Sequence, residues 1–405
     1  MAAEKNNKTL NVPNLRFPEF SGEWEKVHLS RIVTRVTRKN KNNESRLPLT
    51  ISAQYGLVDQ ISFFNKVVAS SDMSNYYLLH KGEFAYNKSY SGDYPWGAIK
   101  RLDRYDKGAL SSLYICFTPT DIIDSDFLVH YFESPKWHRE VSNIAGEGAR
   151  NHGLLNIAVP DFFNTQHCIA VNKAEQRKIA DFLNLINERI ETQKKIIEKY
   201  ESLIKGITDK VFHASNVDFL RSFEMLYKDA GEGGTPSTSN PQYYENGTIP
   251  FIKIDDLSQK YLVAHKDCIT QVGLRNSSAW LIPAGSVIYS NGATIGAISI
   301  NTYPVSTKQG ILGIVPNDSV CAEYLYYLMT SKYFRKQVHR IITEGTMKTA
   351  YLKDINKILC PVPNIDEQQR LAKSISSVTR KIETEKATLD AFILQKRYLL
   401  SHLFI

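Results

Sequence analysis

The chain has 405 residues, of which 42% are hydrophobic and 23% charged, a balance that excludes a disordered or fibrous protein and exceeds what one hydrophobic core usually serves. Its formal charge of +8 suits a polyanionic partner without requiring one. No apolar run is long enough to cross a bilayer and MAAEKNNKTLNV lacks a signal-peptide core, so the expected location is the cytoplasm.

From the N terminus the chain offers short β-prone runs such as VVAS and LYICF, set between Gly, Pro, Asn and Ser turns, then the amphipathic FLVHYFESPKWHR. This reads as an α+β domain over residues 1–174. Residues 175–212 carry apolar side chains at Ile179, Leu183, Ile186, Ile190, Ile197, Tyr200, Ile204, Ile207 and Val211, interrupted at Gln193. Steps of four and three residues predict a long helix with a seam that needs a helical partner. A second α+β domain is expected over 213–366, with IPFIKI, SVIYS and ILGIV as strands and YLYYLMTSKYFR as a helix. Aromatic residues at such spacing predict core packing. Residues 367–405 then repeat the first long segment, with seam positions Leu371, Ile375, Val378, Ile382, Leu389, Phe392, Leu399 and Leu403 and polar interruptions at Glu385 and Lys396.

The repetition is collinear. EQRKIADF from Glu175 is answered by EQQRLAKS from Glu367, 192 positions later, with IET at the centre of both copies. Upstream, GEFAYN answers GSVIYS, GAI at Gly97 answers GAI at Gly296, and AGEGAR answers TEGTMK. The expectation is therefore two pseudo-twofold-related globular domains, each followed by a long helix, the two helices packing as an antiparallel coiled coil. The five cysteines, Cys116, Cys168, Cys268, Cys321 and Cys360, show no paired spacing and are read as reduced.

PNLRFPEFSGEWEKVHLSRI, GEGGTPSTSNPQYYENGTIPFIKIDDL and the twice-written EQ before a long helix resemble the specificity subunits of type I restriction-modification enzymes. The resemblance implies two target-recognition domains, each reading one half of an asymmetric bipartite DNA target. It implies that the helices act as a ruler and dock two methyltransferase subunits, with two motor-nuclease subunits completing the restriction complex. S-adenosylmethionine, ATP and Mg would then reside on those partners. The rival reading is a coiled-coil scaffold with protein-binding globular ends.

Catalytic signatures are missing from the sequence: no N-P-P-Y-like motif and no G-x-x-x-x-G-K-[ST] occurs. GEGGTPST lacks the Lys-Ser/Thr ending of a phosphate loop, and the Asp255 and Asp256 pair beside Lys253 is too local for a nuclease metal site. A non-catalytic subunit is expected, without cofactor or metal of its own.

DNA contact requires paired donors and acceptors for bases, and Lys, Arg, hydroxyls or free N–H groups for phosphates. In the first domain the candidates are Gln54, Tyr55, Asn87, Lys88, Ser89, Tyr90, Ser91, Lys100, Arg101, Arg104 and Arg150. In the second they are Lys253, Ser290, Asn291, Thr294, Lys308, Gln309, Thr346 and Lys348.

Overall fold

Two helices, Lys173–Val211 and Ile365–His402, run 39 and 38 residues. They persist because both lack proline and carry an apolar stripe broken at only a few polar positions. The sequence reading drew them at 175–212 and 367–405. The structure, a computed structural model, describes residues 10–89, 94–145, 155–212, 220–292, 294–342 and 348–405. No described helix is long and apolar enough to cross a membrane.

The chain divides into one unit of residues 1–194 with 388–405 and another of residues 195–387. The expected domains at 1–174 and 213–366 each lie within one unit, and each unit also includes part of both long helices.

In the first unit, Val33–Arg35, Ile115–Pro119, Phe84–Asn87 and Ala98–Arg101 form an antiparallel sheet in that spatial order. A second sheet orders Gly56–Asp59, Pro48–Ser52, Lys107–Leu110 and Tyr77–His80, with its central pair parallel. A ribbon of Glu25–His28 and Gln166–Ile169 leads into the long helix. Helix Ser125–Glu133 covers the first sheet, capped by the Asp124 carboxylate, which accepts from the amides of Asp126 and Phe127. The core joins Phe84, Phe117, Phe127 and Trp137 to Ile179, Leu183, Ile186 and Ile190 of the first long helix and to Leu399, Leu403 and Phe404.

The second unit repeats this plan. Its main sheet orders Tyr227–Glu232, Ile311–Pro316, Val287–Ser290, Ile298–Asn301 and Tyr261–Leu262. Its smaller sheet orders Asp267–Ile269, Ile249–Ile252 and Ser306–Thr307, again with a parallel pair. Leu220–Ser222 and Leu359–Pro361 make the ribbon. Helix Ala322–Thr330 buries Tyr324, Leu325, Tyr327, Leu328 and Met329, so the tyrosine-rich stretch is core, as its spacing predicted. That stretch is two helices and not one: Ser331 ends the first and caps Lys332–Ile341 by accepting from the Phe334 amide. In each unit polar contacts tie the covering helix to a long helix, among them His130 Nε2 to Asn184 Oδ1 at 2.9 Å in the first and the Tyr327 and Ser376 hydroxyls at 3.0 Å in the second.

The polar breaks in the second seam have partners. Lys396 lies 2.9 Å from Glu133, which also bonds His130 Nδ1 at 3.1 Å. Lys381 and Glu385 pair at 2.6 Å.

A buried histidine makes the first unit sensitive to acid. Tyr131 O–H donates to His167 Nδ1 at 2.8 Å and His167 Nε2 lies 2.8 Å from Thr165 Oγ1, an arrangement that suits the neutral ring. Burial lowers the pKa of this imidazole from 6.5 to about 4. Between those values the unfolded chain binds a proton that the folded chain refuses, so stability should fall as pH falls, by a total of roughly 3 kcal/mol. Urea titrations followed by tryptophan fluorescence from pH 7 to 4 should show this slope, and His167→Gln should flatten it.

Candidate nucleic-acid interface

The hairpin of Phe84–Asn87 and Ala98–Arg101 shapes the candidate surface of the first unit. Its closure is tight: a Cβ on Gly97 would sit 2.1 Å from the Asn87 carbonyl oxygen, and Gly97 has a φ of +76°. Asn87 turns the chain by accepting from the Ser89 amide at 3.0 Å. Lys88 ties the hairpin down, its carbonyl accepting from the Leu155 amide at 2.9 Å and its ammonium donating to the Ile157 carbonyl at 3.4 Å. Ser89 is exposed, as are Arg104 and, on the turn between Pro48–Ser52 and Gly56–Asp59, Gln54 and Tyr55. Tyr90, Ser91 and Arg150 lie outside the described residues.

Two expected contacts of this unit are engaged elsewhere. Arg101 bonds Asp103 and Asp126, each at 2.7 Å, and Ser125 Oγ at 2.8 Å. Lys100, the next residue back along the strand, points to the opposite face. Burial lowers its pKa against the nearby Glu133, with Lys396 lowering it further. Within the unit both cations thus already have carboxylates beside them.

In the second unit the structure gathers three separate segments. The Asn291 amide donates to the Gly310 carbonyl at 3.0 Å, and the Ala350 amide donates to the Asn291 carbonyl at 2.9 Å. The turn after Val287–Ser290 is thereby held beside Lys308 and Gln309 and beside the segment carrying Lys348. Thr294, Lys308, Gln309 and Lys348 are exposed on this cluster; Thr346 lies outside the described residues. Ser290 and Asn291 are fully buried beneath it, which corrects their reading as surface contacts. Asn291 Nδ2 donates to the Ala350 carbonyl at 3.2 Å. Among the described residues Ser290 Oγ and Asn291 Oδ1 have no hydrogen-bond partner, leaving a polar floor under the turn. Lys253 pairs with Asp267 at 2.8 Å and stays half-exposed.

The glycines of GEGGTPST are explained by close packing: a Cβ on Gly233 would fall 2.1 Å from the Thr307 carbonyl oxygen. Among the described residues no group of three or more His, Cys, Asp or Glu could hold a metal ion.

Residues 225–393 match the family model of the type I restriction modification DNA specificity domain. The specificity subunit of the type I restriction enzyme MjaIX of Methanocaldococcus jannaschii is 32% identical over 165 residues, 39% of this chain and 38% of that one. A specificity subunit of an Escherichia coli type I restriction enzyme is 25% identical over 227 residues, 50% of this chain and 55% of that one. Over residues 225–393 the chain is thus similar to the type I restriction modification DNA specificity domain. The aligned stretches span about two fifths and just over half of these two relatives' lengths. In fold, the chain is similar over 94% of its length to 96% of the HsdS subunit from Thermoanaerobacter tengcongensis, at a TM-score of 0.51 and 16% identity. It is likewise similar over 97% of its length to 99% of the type I S subunit from M. genitalium, at a TM-score of 0.54 and 16% identity.

One basic surface of the second unit does not appear among the sequence candidates. Helix Lys332–Ile341 buries Phe334 and Val338 and exposes Lys332, Arg335, Lys336, His339 and Arg340. The signal was present in KYFRKQVHR as two apolar residues four apart among cations, but the stretch had been read as the tail of a single core helix.

Proposed function

We propose that the chain reads double-stranded DNA as the specificity subunit of a type I restriction-modification complex, each unit recognising one half of an asymmetric bipartite target. The observation that carries this reading is one strand plan used twice with different turns. The same hairpin closes through residues 88–97 in the first unit and 291–297 in the second. A common frame with divergent turns suits two different half-sites, whereas identical domains would suit a palindrome.

In this reading the long helices pack as an antiparallel coiled coil, relate the units by a pseudo-twofold axis, set the unread spacer and dock two methyltransferase subunits. Two motor-nuclease subunits complete the restriction complex in the cytoplasm. The recognition subunit is non-catalytic, and S-adenosylmethionine, ATP and Mg belong to its partners.

The test is to map methylated adenines in DNA treated with the chain and its cognate methyltransferase subunit. A single bipartite motif is expected, and replacing residues 18–172 by the equivalent domain of a relative should change one half-site only. Methyl transfer by the chain alone, or a change in both half-sites, would overturn the reading. An exposed-contact variant such as Lys348→Ala is expected to weaken binding to all duplexes and to lower the slope of log affinity against log salt by about one.

A further inference from the structure

The twice-written EQ contains a glutamine that each unit buries completely. In the first unit Gln176 Oε1 accepts from the Asp124 amide at 2.7 Å, and Nε2 donates to the carbonyls of Ala170 at 2.7 Å and Ile122 at 3.4 Å. In the second, Gln368 Oε1 accepts from the Cys321 amide at 2.9 Å, and Nε2 donates to the carbonyls of Pro363 at 2.8 Å and Ser319 at 3.0 Å. The two sets correspond member by member. Asp124 and Cys321 are the N-cap residues of the helices covering the main sheets. Ile122 and Ser319 lie two residues before those caps, and Ala170 and Pro363 lie in the leads from the ribbons into the long helices.

One side chain therefore joins the covering helix, the turn before it and the lead into the long helix. All three contacts are to backbone groups, so they survive the divergence of side chains between the units: the capped amide belongs to Asp124 in one and Cys321 in the other. The adjacent glutamate has no such shared role. Glu175 binds Arg16 at 2.7 Å and Trp24 Nε1 at 3.2 Å, whereas Glu367 is half-buried and its amide donates to Asn364 Oδ1 at 2.9 Å.

We propose that Gln176 and Gln368 are positioning residues that fix the angle at which each recognition fold leaves its long helix, and so govern the spacing accepted between half-sites and not the bases read. The inference rests on the DNA-reading function proposed above. Its leverage is geometric. A tilt of about 10° across a unit roughly 30 Å wide moves its far face by about 5 Å, more than one base-pair rise of about 3.4 Å. An amide is required because the site needs an acceptor and two donors at once; glutamate has the shape without the donors, and methionine has neither.

The experiment uses the full chain with its methyltransferase subunit, comparing wild type with Gln176→Met, Gln368→Met and the corresponding Gln→Glu variants. Hydrogen exchange should accelerate at the Asp124 amide in the Gln176→Met protein and at the Cys321 amide in the Gln368→Met protein. Sequencing of methylated sites should show both half-sites retained, while preference for the native spacer over spacers one base pair longer or shorter drops at least tenfold. Unchanged spacer preference despite faster exchange would overturn the proposal, as would an altered half-site sequence. Gln368→Met gives an independent reading should Gln176→Met fail to fold, and failure of both to fold would make these residues folding determinants and end the proposal. A wild-type complex that methylates no bipartite site would instead defeat the DNA-reading function itself.

Discussion

Phe404→Ala should destabilise the first unit by about 3–5 kcal/mol, the range for removing a large side chain from a closed core. Phe404 is 1% exposed, and its ring stands edge-on to Phe127 at 5.2 Å, Tyr131 at 5.8 Å and Trp24 at 6.5 Å. These partners lie in the first third of the chain, two of them on Ser125–Glu133, and are packed into one closed core, so they cannot collapse into the space left behind. Each aromatic pair adds about 0.5–1.5 kcal/mol beyond the area buried. Urea unfolding followed by tryptophan fluorescence measures the loss, since Trp24 abuts the ring. Tyr398→Ala, at a 53% exposed position in the helix that precedes Phe404, should change stability by less than about 0.5 kcal/mol. A Phe404→Ala loss below about 1 kcal/mol would show that the segment after the second long helix does not close this core.

Inserting four residues after Thr192 should lengthen the unread spacer of the methylated motif by one or two base pairs while both half-sites keep their sequence. Thr192 is exposed in mid-helix, between the buried seam residues Ile190 and Ile197. Four helical residues add about 6 Å, close to two base-pair rises, and nearly one whole turn, so the seam beyond the insertion keeps its facing with little rotation. In the proposed arrangement the first recognition fold is carried outward along the helix axis. Three inserted residues add about 4.5 Å with a rotation in the opposite sense, and comparison of the two variants separates length from phase. Sequencing of methylated sites reads the result directly, and an active four-residue variant with an unchanged spacer would refute the ruler.

Local pattern was enough to place the two long helices within two or three residues of their observed ends, and to read the two α+β folds and the burial of Tyr324, Leu325 and Leu328. Heptad steps, proline-free length and aromatic spacing are properties of a short window, and a collinear repeat states twice whatever it states once. The sequence alone also located the turns that differ between the halves, because framework residues such as Tyr86 and Tyr289, or Gly97 and Gly296, bracket them.

What the tertiary structure decided was the destination of each side chain. Lys100 and Arg101 are neighbours on one strand, and alternation sends them to opposite faces; one meets Glu133 and Lys396, the other Asp103 and Asp126. Asp103 is a near neighbour in sequence, but no local rule could reveal that Asp126 and Glu133 would reach those faces from the covering helix. Ser290 and Asn291 resemble turn residues, yet the segments at Gly310 and Ala350 close over them. Lys396 looked like a flaw in a heptad seam until Glu133 stood 2.9 Å away. Gln176 and Gln368 read as ordinary polar helix residues because their partners are backbone groups, which leave no trace in residue identity. Sequence determined which segments are helix, strand and turn, since those follow from interactions within a few residues. Only the folded chain decided which polar groups are occupied and which are free, since that depends on contacts between residues up to hundreds of positions apart.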